Sequence, residues 1–137
     1  MTIRIERVLD AEPATVWRAW TDPAVLERWF CPNPDLPLSV RADAVPGGRY
    51  RVDMGEGRYA AEGEYTELDE PRVVGFTWRW VGTDGPVTRV RVELVPEGTG
   101  TRVVLEHTGL ADEEDARGHQ EGWELELDRL AGLVTAR

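Results

Sequence analysis

The chain has 137 residues, of which 41% are hydrophobic, and its formal net charge is −10. Its length suits one globular domain with a core of its own, so we expect a single domain over residues 1–137. The acidic balance argues against nonspecific binding to nucleic acid or to an anionic membrane, because both would repel it. No apolar run approaches the length of a membrane span, no signal-peptide core is present, and the single cysteine cannot form an internal disulfide. We therefore expect a cytoplasmic protein.

The N-terminal part of the chain predicts one strand and two short helices. Residues 2–9 alternate between polar and apolar side chains, which indicates a strand. Pro13 and Pro23 each suit the first turn of a helix, and Asp22 adds a capping carboxylate before the second. The segment that follows, residues 29–37, contains three prolines. It is predicted to be a stiff loop.

Residues 38–108 alternate short strand patterns with turn sequences rich in glycine, proline and aspartate, which predicts an antiparallel meander. Successive side chains of a strand point to opposite faces, so one alternate set in each strand should face the interior. These inward sets are apolar and strongly aromatic. They comprise Tyr50, Val52, Met54, Tyr59, Ala61, Gly63, Tyr65, Phe76, Trp78, Trp80, Val90, Val92, Leu94, Val103, Leu105 and His107.

The last segment, residues 112–137, predicts a long amphipathic helix. Asp112 can cap its start, and the three acidic residues after it suit the positive end of the helix dipole. Apolar residues recur at spacings of three, four and seven, at Ala116, Trp123, Leu127, Leu130 and Val134. A single apolar stripe needs a surface to cover. We therefore expect this helix to lie across a curved sheet, with either a ligand pocket or a filled packing interface between them.

Five motifs in chain order resemble one superfamily. Residues 13–23, Pro-Ala-Thr-Val-Trp-Arg-Ala-Trp-Thr-Asp-Pro, followed by Leu26 and Trp29-Phe30, resemble the N-terminal signature of the START-like superfamily, also called SRPBCC. The further motifs lie at residues 46–50, 63–71 with 76–78, 100–109, and 122–123 with Leu130. The chain most resembles the bacterial single-domain branch named after the activator of the heat-shock-protein-90 ATPase. The resemblance covers essentially the whole chain.

The resemblance implies an α+β helix-grip fold, similar to that of the birch-pollen allergen. In this fold a curved antiparallel sheet wraps around a long C-terminal helix, two short helices follow the first strand, and a cavity lies between sheet and helix. The superfamily includes lipid carriers, hormone receptors, polyketide cyclases and aromatases, hydroxylase domains and co-chaperone domains. A fold shared this widely does not assign the chemistry.

His107 is the polar residue of most interest, because it is predicted to face inward close to where the last helix begins. With an inward tyrosine it could move protons, although a histidine hydrogen-bonded at the sheet edge is the simpler interpretation. His119 lies at the edge of the helical stripe, where it could border a cavity mouth. Cys31 is interpreted as an unpaired small residue in the loop. The sequence has no metal-site spacing and no phosphate or dinucleotide fingerprint, so we expect no metal and no cofactor.

Three functions remain open: binding of a small hydrophobic or aromatic molecule, a cyclase or dehydratase activity, and a co-chaperone-like interaction with an ATPase. We favour binding without catalysis, because an aromatic wall with few polar groups is typical of ligand pockets. Trp29 and Phe30 are predicted to form the rim, a surface that would also suit a homodimer. The predicted ligand-binding residues are Trp29, Phe30, Tyr50, Val52, Tyr59, Tyr65, Phe76, Trp78, Trp80, Val92, Leu105, His107, His119, Trp123 and Leu127.

Overall fold

Seven strands and three helices make up residues 1–135, the part of the chain that this computed structural model describes. The strands are β1 (Ile3–Leu9), β2 (Leu38–Ala42), β3 (Arg49–Met54), β4 (Tyr59–Asp69), β5 (Val73–Trp80), β6 (Thr88–Glu97) and β7 (Gly100–Thr108). The helices are α1 (Pro13–Thr21), α2 (Pro23–Leu26) and α3 (Glu113–Thr135). The predicted continuation of the last helix to Arg137 lies outside the described residues. No helix within residues 1–135 is long and apolar enough to span a bilayer.

The strands form one antiparallel sheet in the order β1-β7-β6-β5-β4-β3-β2. Each strand from β2 to β6 pairs with the next along the chain, and β1 pairs with β7, with Ile3 opposite His107. The sheet curves around α3, and the two short helices follow the first strand. The predicted meander and the predicted helix-grip fold are therefore confirmed.

Side-chain caps fix where two of the helices begin. The Asp22 carboxylate accepts a hydrogen bond from the Ala24 amide at 3.0 Å, immediately before α2. At the start of α3, the Asp112 carboxylate accepts from the Asp115 amide at 2.8 Å, and the Asp115 carboxylate accepts from the Ala111 amide at 3.1 Å. These bonds satisfy amides that have no partner within a helix. The capping role predicted for Asp112 is confirmed.

Most of the predicted inward side chains are buried between the sheet and α3. The buried members are Tyr50, Val52, Met54, Ala61, Tyr65, Phe76, Trp78, Val90, Val92, Leu94, Val103, Leu105 and His107. Gly63 and Trp80 are half-buried. The alternation along each strand thus identifies the face that forms the core.

Tyr59 is an exception, and the prediction that it faces the interior is wrong. It has the inward parity of β4, yet it is 52% exposed. Tyr59 is the first residue of its strand and pairs with Met54, the last residue of β3. At this rim no further strand residue covers the ring, so parity alone does not bury it.

Trp29 is also placed differently from the prediction, because it belongs to the core and not to a rim. Its side chain is fully buried, and its ring centroid lies 4.7 Å from that of Trp20 and 5.2 Å from that of Phe30. Its indole N–H donates to the Ala19 carbonyl at 3.0 Å, which ties the loop to α1. Phe30 is 4% exposed. The two rings therefore offer no exposed apolar surface for the dimer that the sequence suggested.

Gly63 lies where the backbone of β5 passes closest to β4. A Cβ atom at this position would lie 2.1 Å from the Thr77 carbonyl oxygen and 2.8 Å from the Thr77 carbonyl carbon. The Tyr50 hydroxyl, on the strand opposite, donates to the same carbonyl. The absence of a side chain at Gly63 thus serves strand packing.

We expect Gly63→Ala to lower the free energy of unfolding by about 2–3 kcal/mol, because backbone atoms of β5 must move to accommodate the methyl group. Urea unfolding followed by circular dichroism measures this change. Gly85→Ala is the matched control, since its added Cβ meets only the Thr83 hydroxyl at an ordinary 3.5 Å. Equal midpoints for the two variants would contradict the close approach.

Candidate functional site

A cavity of about 510 Å³ opens between α3, the end of β5 and the loop after α2. Its apolar walls are Phe30, Met54, Trp78, Trp80 and Trp123. Its polar lining consists of Asp112, Glu114, Asp115, His119 and Glu126. The cavity therefore combines aromatic walls with a strongly acidic border.

The interior next to the first helix is filled. Around Tyr50, Tyr65, Phe76 and Trp20 only about 10 Å³ of free space remains. This is no more than a single water molecule needs. The two arrangements that the sequence left open, a pocket and a filled interface, thus occur side by side.

The predicted ligand-binding residues divide accordingly. Those that line the cavity are Phe30, Trp78, Trp80, His119 and Trp123. Those buried in the filled interior are Trp29, Tyr50, Val52, Tyr65, Phe76, Val92, Leu105, His107 and Leu127. Tyr59 lies at the surface.

His107 is fully buried, and both of its ring nitrogens are engaged. The Trp123 indole N–H donates to Nδ1 at 3.1 Å, so Nε2 carries the proton of the neutral ring and donates it to the Thr88 hydroxyl at 2.7 Å. That hydroxyl donates in turn to the Trp78 carbonyl at 3.1 Å. Burial, and secondarily the neighbouring His119, lowers the pKa of His107 to about 3. These contacts agree with a hydrogen-bonded structural histidine that ties α3 to three strands.

The inward tyrosines are likewise held in the filled interior. The Tyr50 hydroxyl donates to the Thr77 carbonyl, and burial raises its pKa well above the ordinary value. Burial also raises the pKa of Tyr65 to about 12. Both side chains are therefore neutral at physiological pH, and neither borders the cavity.

Glu126 is a cavity residue that the sequence analysis missed. The side chain is on α3 and is 7% exposed. Burial raises the pKa of its carboxyl group to about 8, and the Arg129 guanidinium opposes this shift. Arg129 donates its own hydrogen bonds to the carbonyls of Cys31 and Arg28. Glu126 is therefore a neutral, protonated acid at pH 7.

A sequence signal for Glu126 does exist. It follows Trp123 by three positions and precedes Leu130 by four, so it lies on the apolar stripe of the helix. If the apolar stripe of the helix were narrow, a carboxylate at this position would point away from the core. Here the stripe includes position 126, and the cavity accommodates the carboxyl group.

Two polar atoms at the cavity-lining residues are buried without a partner among residues 1–135: Nε2 of His119 and Nε1 of Trp78. Nδ1 of His119 lies 2.9 Å from the Asp115 carbonyl oxygen and 3.2 Å from the Asp115 carboxylate, so the ring proton belongs on Nδ1. Nε2 is then a free acceptor, while the Trp78 N–H is a free donor. Buried polar atoms usually have partners, so these two are unfavourable in the wall of the cavity.

Two glycines on α3 keep the cavity open. Gly118 and Gly122 both line it, and an added Cβ at Gly118 would meet nothing within 4 Å. At Gly122 the nearest atom would be a Glu126 carboxyl oxygen at 4.0 Å. Glycine inside a helix costs about 1 kcal/mol relative to alanine. The helix therefore gives up some stability where side chains would otherwise fill the cavity.

The described residues offer no metal centre, since nowhere within residues 1–135 do three or more His, Cys, Asp or Glu side chains gather to hold an ion. What the arrangement can do is enclose an apolar body and offer it a few hydrogen-bonding groups at one end. That combination is the usual composition of a small-molecule site.

Comparison with known proteins gives one family and many similar structures. Residues 10–135 match the sequence model of a family described as Activator of Hsp90 ATPase homolog 1-like protein. Among solved structures, protein CV1439 from Chromobacterium violaceum is 28% identical, with a TM-score of 0.86 over 99% of this chain and 98% of that one. Protein Ms6760 from Mycobacterium smegmatis is 27% identical, with a TM-score of 0.86 over 99% and 91%. The AHSA1 (SPO3351) protein from Silicibacter pomeroyi is 29% identical, with a TM-score of 0.80 over 98% of both chains. A comparison with curated protein sequences found no match.

Proposed function

This chain belongs to the family of Activator of Hsp90 ATPase homolog 1-like proteins, and we propose on that basis that it binds a small apolar or aromatic molecule in the cavity between α3 and the end of β5. The observation that carries the proposal is an aromatic-walled cavity kept open by two glycines in the middle of a helix. A helix selected only for packing would gain stability from larger residues at those positions.

The proposal concerns binding and not catalysis. Of the groups first considered for proton transfer, His107 and Tyr50 are buried in the filled interior and hydrogen-bonded there, Tyr65 is buried away from the cavity, and Tyr59 lies at the surface. A co-chaperone-like role remains a prediction from the family's name. An ATP-hydrolysis assay of the chaperone with the purified chain tests that role separately.

We expect Gly118→Leu to weaken binding of N-phenyl-1-naphthylamine, an uncharged aromatic dye, by at least about tenfold, since each buried methylene occupies the volume and apolar surface that the dye requires. The variant should also be at least as stable as the wild type, because leucine favours a helix more than glycine does. Dye fluorescence and thermal unfolding measure the two effects.

Gly132→Leu is the matched control for this experiment. It makes the same change on the same helix, in open space and away from the cavity, so it should leave dye binding unchanged. Equal loss of binding in both variants, or no uptake of dye by the wild type, would contradict the proposed site. Native mass spectrometry of freshly purified protein complements the test, because a stoichiometric copurified molecule would identify the ligand class.

A further inference from the structure

The aromatic residues of the cavity form one packed wall. The ring centroids of Phe30, Trp78, Trp80 and Trp123 lie 5.3–6.0 Å apart in neighbouring pairs, and their planes meet at 54° to 89°. At these distances and angles the edge of one ring packs on the face of the next, and the cavity lies along the wall that the rings form. The face of an aromatic ring carries partial negative charge and attracts a cation placed over it.

The charged lining of the same cavity is acidic. Asp112, Glu114 and Asp115 lie at the start of α3, and Glu126 lies about three to four turns further along the helix. Among the described residues that line the cavity, four are acidic and none is arginine. His119 is already paired through Nδ1 with Asp115. The cavity thus attracts positive charge in a chain whose net charge is already −10.

Glu126 supplies an independent observation, because it is buried by more than nine-tenths and accepts no hydrogen bond from any group of residues 1–135. It also forms no ion pair within that part of the chain. A buried carboxyl group without a partner is unfavourable, and native proteins rarely leave such a group unexplained. A positively charged ligand group would provide the missing partner.

We propose that the ligand is an organic cation, an ammonium group on a small apolar or aromatic body, whose apolar part lies against the aromatic wall and whose charge pairs with the carboxylate of Glu126. The inference rests on the binding function proposed above and specifies its ligand class. The apolar body occupies the cavity, and the ammonium group takes the place of the proton that Glu126 holds in the free protein.

The exchange of a proton for a cation makes binding depend on pH. Burial raises the pKa of Glu126 to about 8. The ionisable groups around it are Arg129 and His119 on its own helix and the Cys31 thiol on the loop, while β5 presents the uncharged Trp78. Below pH 8 a cation must displace the proton, so its apparent affinity should rise by up to about tenfold per pH unit from pH 6 to pH 8. Above pH 8 the carboxyl group is already ionised, and the affinity should level off.

Two probes of equal shape test the charge preference: phenyltrimethylammonium, which is permanently cationic, and tert-butylbenzene, its neutral isostere. Titration followed by tryptophan fluorescence gives both affinities, since three of the six tryptophans line the cavity. At pH 8 the cation should bind at least about tenfold more tightly than the isostere. Its affinity should fall between pH 8 and pH 6, whereas that of the isostere should stay constant.

Glu126→Gln should remove both the preference for the cation and the pH dependence. Glu121→Gln, the same change on an exposed position of α3, should leave both intact. If the isostere binds as tightly as the cation at pH 8, or if Glu126→Gln keeps the preference, the cation inference is overturned while dye binding still supports the cavity. If neither probe nor the uncharged dye binds the wild type, the proposed function itself fails.

Discussion

Glu126→Gln is expected to stabilise the free protein at pH 8.5 by on the order of 4 kcal/mol relative to the wild type. The pKa of Glu126 is raised from 4.5 to about 8 in the folded protein, because burial disfavours the charged carboxylate. The folded state therefore binds more protons than the unfolded state between these pH values. The stability that this proton contributes is present below pH 4.5 and is lost as pH rises through 8. Glutamine has the shape of the protonated acid and carries no charge at any pH.

The measurement is urea unfolding of both proteins at pH 5 and pH 8.5. The wild type should lose stability between the two values through Glu126, whereas Glu126→Gln should lose none, because the remaining contribution of His107 rises with pH. Glu121→Gln, which removes an exposed charge from the same helix, should follow the wild type. Parallel stability curves for the wild type and Glu126→Gln would show that the carboxyl group is not held neutral in the folded protein.

Acidification from pH 7 to pH 4 is expected to destabilise Glu126→Gln by on the order of 3 kcal/mol through His107, because this variant lacks the carboxyl group that offsets the loss in the wild type. Burial lowers the pKa of this imidazole from 6.5 to about 3. Between these pH values the ring is therefore protonated in the unfolded chain and neutral in the folded protein. The stability that the neutral ring contributes is present above pH 6.5 and is lost as pH falls through that value towards 3. NMR of the imidazole ring should show no titration of His107 above pH 4.5.

Two variants separate the charge of His107 from its hydrogen bonds. His107→Gln should be less stable than the wild type at pH 7, because the Trp123 indole N–H loses Nδ1 of the imidazole as its acceptor. It should nevertheless lose less stability on acidification. Thr88→Val removes the hydroxyl partner of Nε2 but keeps the imidazole, so in the Glu126→Gln background it should retain the acid loss that His107→Gln reduces. The same acid slope in His107→Gln and Thr88→Val would mean that other groups cause it.

Glu126 and His107 act in opposite directions, and their contributions overlap between pH 4.5 and pH 6.5. In this range each unit of pH removes about 1.4 kcal/mol through the carboxyl group and restores the same amount through the imidazole. The two contributions cancel. The stability of the protein should therefore be nearly flat across this range and fall on either side.

The order of strands and helices could be predicted from the sequence because it depends on local patterns. Alternation in the strands and the spacing of apolar residues in the last helix identify the core-facing sides, and Asp112 and Asp22 mark helix starts through their short side chains. The resemblance to the family is confirmed as well, by the match over residues 10–135. Strand alternation, helical spacing and capping residues are each recognised from neighbouring residues, so none of them requires knowledge of the tertiary structure.

The placement of Trp29 and Tyr59 depends instead on how separate elements pack against each other. Trp29 is in a proline-rich loop, and only the position of α1 decides that its indole reaches the Ala19 carbonyl. Tyr59 has the right parity but occupies a strand end where nothing covers it. Periodicity reports the side of a strand on which a residue lies, and it does not report what packs over that residue.

The cavity itself could be predicted only in part. Its aromatic walls at Trp78, Trp80 and Trp123 follow from the patterns, whereas its acidic end does not, because a glutamate within an apolar stripe is ordinarily assigned to solvent. The sequence does show two glycines, Gly118 and Gly122, within the segment predicted to be helical. That they face a gap at the end of β5 follows only from the packing of α3 on the sheet.

The pairing of the first strand with the last has a consequence for synthesis of the protein. Of the seven strands β1 is synthesised first, but within residues 1–135 the one strand beside it in the sheet is β7, which begins at Gly100. Until then the nascent chain carries a strand with both edges unpaired and no helix to cover the concave face. Closure of the sheet must therefore wait until most of the chain has been made, and such long-range pairing folds slowly. A terminated chain lacking β7 should persist as an aggregation-prone fragment and not as a smaller folded domain.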